Sequence, residues 1–280
     1  MVLISMEPFQ AIILGIVQGL TEFLPVSSSG HLVLFQNLFG FKEPELLFDI
    51  SLHVGTLIAV CIVFFKEIRA ILGALVRLPG LIRTAGGLRP VFNDNEDVRI
   101  AFLILLGSIP TAILGFLFHK ISNQIFGAVW IVGVMLIVTG TLLWLTRKLR
   151  LEGRSLLQVS MKDALIVGVV QGLAILPGIS RSGSTISVAL LLGVDREVSG
   201  RYSFLLSIPA ILGALFLGLN SPITRNSVSG GMILLGTFSA GIVGYAALKV
   251  LLHIIKRGQL YWFAPYCWLL GVGALIWNWL

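Results

Sequence analysis

Charge is what this 280-residue chain lacks most: Asp, Glu, Lys and Arg together make up 12% of it, about half the share in an average soluble domain. So little charge cannot coat a water-soluble fold of this length. With 56% apolar residues and a mean hydropathy of +0.98, the chain reads instead as a polytopic membrane protein. Cysteine is nearly absent. Cys61 and Cys267 both lie in apolar runs with no CxxC spacing, which excludes a disulfide framework and leaves two packed thiols. The opening MVLISMEPFQ has no basic n-region and carries Glu7, so it does not read as a cleaved signal peptide and the first hydrophobic segment is expected to be retained. The net charge of +7 sits in loops between apolar segments, where topology and anionic headgroups account for it, so no nucleic acid partner is expected.

What is present is long apolar segments and one polar phrase written twice. A spanning helix needs about 20 mostly apolar residues, and stretches near 47–65, 100–118, 127–146, 202–219, 230–254 and 261–280 qualify. QGLTEFLPVSSSGH begins at Gln18 and QGLAILPGISRSGS at Gln171, 153 residues later. Compensating one-residue gaps keep the copies in step: an extra residue before Pro25 in the first, and Gly178 after Pro177 in the second. Short apolar arms flank each phrase, 8–24 and 31–41 in the first and 163–176 and 184–193 in the second. Ser, Gly and Pro clusters cannot face lipid, so each pair reads as a re-entrant hairpin with its tip buried in protein.

Alternating the loops puts fifteen basic residues on one side, from Lys66 through Arg154 to Arg257, and only Lys42, Lys120 and Arg225 on the other. The positive-inside rule makes the first side cytoplasmic and both termini external. Three spans separate the hairpins, so the expected fold is all-α, with about six transmembrane helices and two re-entrant hairpins in an inverted-topology repeat. One integral membrane domain covers 1–280, its halves being about 1–155 and 156–280. The longest loop, 66–99, is expected to start as a basic amphipathic stretch and end irregularly, at the membrane interface.

Glu22 and Arg181 are the charges hardest to accommodate, since a charge at membrane depth costs at least about 2.5–3.5 kcal/mol. Each is therefore a candidate site residue. The plainer alternative is that they pair only to steady the fold. Arg presents a planar fork that suits phosphate or carboxylate. Ser27, Ser28, Ser29 and Gly30 precede a helix expected to begin near His31, and Ser180, Ser182, Gly183, Ser184 and Thr185 hold the same place in the second copy. Helix-start N–H groups, hydroxyls and the positive dipole end make an anion site, and two such starts would converge on one anion. Caps alone would be the bland reading. His31 could serve as base to a hydroxyl nucleophile. Asp49 and His53, spaced i and i+4, read as packing or hydrogen-bonding residues, and His119 and His253 are assigned nothing. Acid and base candidates lie in the first copy and the cation in the second, a division that suits a hydrolase better than a transporter. A secondary transporter or lipid flippase is nevertheless the rival reading, because inverted re-entrant repeats are a transporter architecture.

These phrases, with FDISLHVGTLIAV and RYSFLLSIPAILGA, resemble the bacterial undecaprenyl-pyrophosphate phosphatase family linked to bacitracin resistance, over nearly the whole chain. The resemblance implies removal of the terminal phosphate of undecaprenyl pyrophosphate at the outer face of the plasma membrane, recycling the lipid carrier of cell-wall synthesis. It also implies a divalent cation, magnesium or calcium. Its glutamate-rich motif falls on Gln18 and Glu22, its serine-histidine motif on Ser27, Ser28 and His31, and its arginine motif on Ser180, Arg181, Ser182 and Thr185. Gln18 departs from the E-x-x-x-E pattern, which puts a charged metal-ligand or base role there in doubt and leaves Glu22 as the metal candidate. The expected mechanism is attack by Ser28 on the terminal phosphorus, His31 taking the hydroxyl proton, Arg181 and the helix-start amides stabilising the oxygens, and Glu22 orienting His31 or holding the cation. His31 as the attacking group is the alternative. The leaving group is a phosphate monoester and departs without a strong general acid. Expected partners are the polyprenyl pyrophosphate substrate and membrane lipids, with a homodimer left open.

Overall fold

The computed structural model of the chain describes residues 6–41, 46–119, 129–149, 152–219 and 228–277. Among these, regular structure is helical, apart from one isolated bridge between Arg154 and Val194. The helices are α1 (Pro8–Phe23), α2 (Ser28–Leu38), α3 (Leu46–Val63), α4 (Phe65–Ala85), α5 (Leu88–Asp94), α6 (Glu96–His119), α7 (Val129–Leu145), α8 (Met161–Leu173), α9 (Arg181–Leu191), α10 (Arg196–Leu219), α11 (Gly230–Lys256) and α12 (Ala264–Trp277). Five segments are long and apolar enough to cross a membrane: Glu96–Phe118, Val129–Lys148, Arg196–Leu217, Gly230–Lys256 and Leu260–Trp277. A sixth span is available if α3 and α4, bent by 78° at their junction, count as one. The chain is an all-α polytopic membrane protein, as its composition requires. Lys42, Lys120, Arg150 and Arg225 lie outside the described residues, as does the side chain of His119.

α1 and α2, and α8 and α9, pack as two helical hairpins. Their arms have 16 and 11, and 13 and 11 residues. At 1.5 Å per residue that is roughly 16–24 Å, short of a hydrocarbon core of about 30 Å. The second arms begin earlier than the sequence suggests, at Ser28 and Arg181 rather than near His31 and Ser184. The reason is local: Ser27 and Ser180 are N-caps, so the serine clusters form the first helical turns instead of preceding them.

The stretch 66–99 is helical rather than irregular, as α4 and α5. Ala74, Leu78, Leu81 and Ile82 of α4 pack with Val91 of α5 and Val98 and Phe102 of α6. That burial carries the helix through Pro79, and it ends where Gly86 adopts φ 74°, a left-handed C-cap.

The repeat extends beyond the polar phrases. ILLGSIPTAILG begins at Ile104 in α6 and ILLGTFSAGIVG at Ile233 in α11. Each copy packs on the hairpin of the other half: α1 on α11, and α8 on α6. The contacts use equivalent glycines, since a Cβ on Gly15 would strike the carbonyl of Gly236, and one on Gly168 the carbonyl of Gly107. Small residues at these crossings let the backbones meet. With this exchange the two hairpin tips lie in contact.

Candidate active site

Gln18 and Glu22 lie one turn apart at the end of α1, so their side chains share a face. Gln18 Nε2 donates to Glu22 Oε2 at 3.0 Å. After the turn at residues 24–26, Ser27 caps α2 by accepting from Gly30 N–H at 3.3 Å, with its Oγ 3.3 Å from Ser29 Oγ. The second copy repeats both contacts: Ser180 Oγ accepts from Gly183 N–H at 3.1 Å and lies 3.3 Å from Ser182 Oγ. The turns interlock. Ser182 Oγ donates to the Phe23 carbonyl at 2.9 Å, Gly183 lies against Pro25 and Gly30 against Gly178.

Glu22 is the hub. Its Oε2 accepts from Ser28 Oγ at 2.6 Å, and its Oε1 accepts from Arg181 Nη2 at 2.6 Å. The first residues of the two capped helices, Ser28 of α2 and Arg181 of α9, thus meet on one carboxylate. Most of the cluster is buried: Gln18, Ser27, His31, Ser180, Ser182, Ser184 and Thr185, with Gly30 and Gly183. Ser28, Ser29 and Arg181 are the partly exposed members, which leaves the candidate nucleophile and cation accessible. Arg181 Nη1, Gln18 Oε1 and Ser184 Oγ are buried with no hydrogen-bond partner among the described residues. Thr185 donates to the Arg181 carbonyl at 2.7 Å, fixing the start of α9. The N–H groups of Ser28 and Ser29, and of Arg181 and Ser182, begin their helices and lack intrahelical partners by geometry. A phosphate would meet one half-paired guanidinium and two positive helix starts.

His31 departs from its expected place. Its Nδ1 is 2.8 Å from the Ser27 carbonyl and its Nε2 2.7 Å from the Tyr266 hydroxyl. A carbonyl only accepts, so Nδ1 carries the hydrogen and Nε2 of the neutral ring accepts from Tyr266. Neither nitrogen is available to Ser28, and Glu22 bonds Ser28 rather than His31. The histidine that does approach Glu22 is His53 of α3, its Nε2 3.6 Å from Glu22 Oε2 and its Nδ1 2.8 Å from the Asp49 carbonyl. Sequence reading gave His53 only a packing or hydrogen-bonding role, because nothing in FDISLHVGT says that α3 passes the end of α1. Asp49 accepts from Gln36 Nε2 at 2.7 Å, and His253 is exposed. Both cysteines are unbridged; Cys267 is buried, as expected of a packed thiol, whereas Cys61 is partly exposed.

No group of three or more His, Cys, Asp or Glu side chains suited to a metal gathers among the described residues. The oxygens of Glu22 and the unpartnered Oε1 of Gln18 are nevertheless hard donors, which fit Mg²⁺ or Ca²⁺ delivered with substrate phosphates rather than caged by protein.

Comparison with known proteins places the chain in a family. The family described as "Bacitracin resistance protein BacA" matches residues 11–273. A protein of Desulfatibacillum aliphaticivorans is 53% identical over 274 residues, covering 98% of this chain and 99% of its own length. One of Desulforapulum autotrophicum is 51% identical over 271 residues, covering 97% and 98%. A third, from Halothermothrix orenii, is 45% identical over 273 residues with the same coverage of 97% and 98%. All three carry the name undecaprenyl-diphosphatase.

Proposed function

The chain belongs to the bacitracin resistance protein BacA family, and on that premise we infer that it hydrolyses undecaprenyl diphosphate to undecaprenyl phosphate and inorganic phosphate. The observation that carries the chemistry is the 2.6 Å bond from Ser28 Oγ to a carboxylate whose other oxygen holds Arg181. Ser28 Oγ attacks the terminal phosphorus and passes its proton to Glu22 Oε2. The Oγ–P bond forms, the bridging P–O bond breaks, and Glu22 returns the proton to the departing monoester. Water then attacks the phosphoserine, giving a proton to Glu22, which delivers it to Ser28 Oγ as inorganic phosphate leaves.

Arg181 does its work through the nitrogen left open. Nη1, buried and unpartnered before substrate binds, turns to an equatorial phosphate oxygen while Nη2 stays near Glu22, and the helix-start N–H groups of α2 and α9 take the others. The incoming phosphate shares the guanidinium's charge, which weakens its hold on Glu22 Oε1 and raises the carboxylate's readiness to take the Ser28 proton at Oε2. The unpartnered Gln18 amide oxygen, with Glu22 Oε1, would hold a divalent cation brought with the diphosphate, Glu22 Oε2 remaining the proton acceptor. Bound there, it supplies charge neutralisation on the phosphate oxygens. His31 is neither attacker nor base in this reading, because both its nitrogens are engaged.

The halves, about 1–155 and 156–280, are read as inverted-topology repeats, with the basic loops cytoplasmic and the hairpin tips opening to the outer face. The mirrored glycine contacts support the repeat. No observation favours a transporter. The test is phosphate release by purified protein from a long-chain prenyl diphosphate with magnesium or calcium present, with acid-quenched samples searched for phosphorylated Ser28. Absence of release by the wild-type protein overturns the activity. Near-wild-type turnover by Ser28→Ala overturns the assignment of the nucleophile.

A further inference from the structure

Ser27 is the one non-glycine residue with positive φ among the described residues, at φ 71° and ψ 99°. Such a conformation persists only where its surroundings hold it. Its counterpart in the other turn, Ser180, is relaxed at φ −73° and ψ 116°. The strain therefore belongs to the turn that presents Ser28.

Two neighbouring residues of α12 hold that turn. Tyr266 donates to His31 Nε2 at 2.7 Å, its ring stacked on the imidazole with centroids 5.8 Å apart and 7° between planes. Through Nδ1, His31 passes the restraint to the Ser27 carbonyl. Cys267 Sγ lies 3.5 Å from the Pro25 carbonyl in the same turn. In the second copy a hydroxyl of α7 does the equivalent work directly, since Thr139 Oγ1 donates to the Gly178 carbonyl and accepts from Ser180 N–H, both at 3.0 Å. α7 and α12 pack on each other, so one helix pair braces both turns.

We propose that Tyr266 is a positioning residue for phosphoryl transfer, fixing the tautomer and plane of His31 and, through it, the strained Ser27 peptide that aims Ser28 Oγ at the phosphorus. The proposal rests on Ser28 being the nucleophile. Tyr266 touches no reacting atom. It sets the distance of attack, so its loss lowers kcat and leaves KM nearly alone.

Tyr266→Phe keeps the stacked ring and removes the hydroxyl. Expected is a fall in kcat of roughly ten- to hundredfold, the cost of a misplaced attacking atom, with KM within about twofold. The Tyr266→Phe/His31→Ala double variant should be no slower than His31→Ala alone, because the two side chains act in series. Nitrogen-15 spectra, simplified by there being only four histidines, should show His31 held as the Nδ1–H tautomer in the wild type and released in Tyr266→Phe. An unchanged kcat in Tyr266→Phe, multiplicative losses in the double variant, or an unchanged His31 signal would each overturn the proposal. If Ser28→Ala turns over normally, the nucleophile assignment fails instead, and the histidine spectra still report the contact.

Discussion

Replacing Glu22 by Gln separates its chemical role from its structural one. Glu22 is 7% exposed and pairs with an Arg181 side chain that is 15% exposed. Stripping a buried ion pair of one partner typically costs about 3–5 kcal/mol. Gln, however, keeps an amide oxygen for Arg181, and a hydrogen bond to a charged group retains about 1.5–3 kcal/mol. On the other side its amide nitrogen would face two donors, Gln18 Nε2 and Ser28 Oγ. Both can adapt: Gln18 has an unpartnered Oε1 to turn inward, and the serine hydroxyl can accept. The net destabilisation is then about 1–3 kcal/mol, too little to unfold the protein. What Gln cannot do is take a proton, which forfeits the roughly 10²–10⁴-fold factor of general-base catalysis. Phosphate release from a prenyl diphosphate, measured beside the thermal midpoint in the same detergent, should show a slight loss of stability and a near-complete loss of turnover. A folded Glu22→Gln protein within about threefold of the wild-type rate would mean that Glu22 only steadies Arg181, and that the base lies elsewhere.

Three further outcomes follow from named contacts. Arg181→Lys keeps the charge but can serve only one of Glu22 and the phosphate, so phosphate release should drop roughly hundredfold, close to Arg181→Ala; a near-normal rate would make Arg181 a point charge. His53→Ala removes the imidazole 3.6 Å from Glu22 and should cost about 1.4–2 kcal/mol of transition-state stabilisation, read as a ten- to thirtyfold lower kcat/KM; an unchanged value would make that contact incidental. Gly168→Val drives a side chain into the Gly107 backbone, so it should destabilise by about 1–3 kcal/mol and lower the thermal midpoint by several degrees, and an unchanged midpoint would refute the close α6–α8 contact.

Much of the site was legible in the sequence because the chain is so poor in charge. In an apolar background Glu22 and Arg181 stand out singly, and they do pair across 159 residues. The duplicated phrase marked both hairpins for the same reason. The rest depended on tertiary proximity. His53 looks like any helix residue four places after Asp49 until α3 is seen to pass Glu22. Tyr266 lies 235 residues from His31 and carries no local motif. The helix starts were misjudged by about three residues, because a serine can cap a helix or open it, and only the bonds from Gly30 and Gly183 identify Ser27 and Ser180 as the caps. The irregular end expected for 66–99 follows from its Pro and Gly residues taken locally, whereas packing of α4 on α5 and α6 makes that end helical.

The two copies explain how a symmetric scaffold comes to support an asymmetric reaction. N-capping by Ser27 and Ser180 makes Ser28 and Arg181 equivalent, each the first residue of its helix, and the exchange of packing partners brings those positions to a common point. Two serines there would give two hydroxyls with no cation, and two arginines a repulsive pair with no nucleophile. Divergence at this pair of equivalent positions places one hydroxyl and one guanidinium, the proposed nucleophile and counter-charge, on Glu22, which lies at the gap where the copies fall out of register. In the proposed mechanism the symmetric helix starts would bind phosphate, and the departures from symmetry at Glu22, Ser28 and Arg181 would carry its transfer.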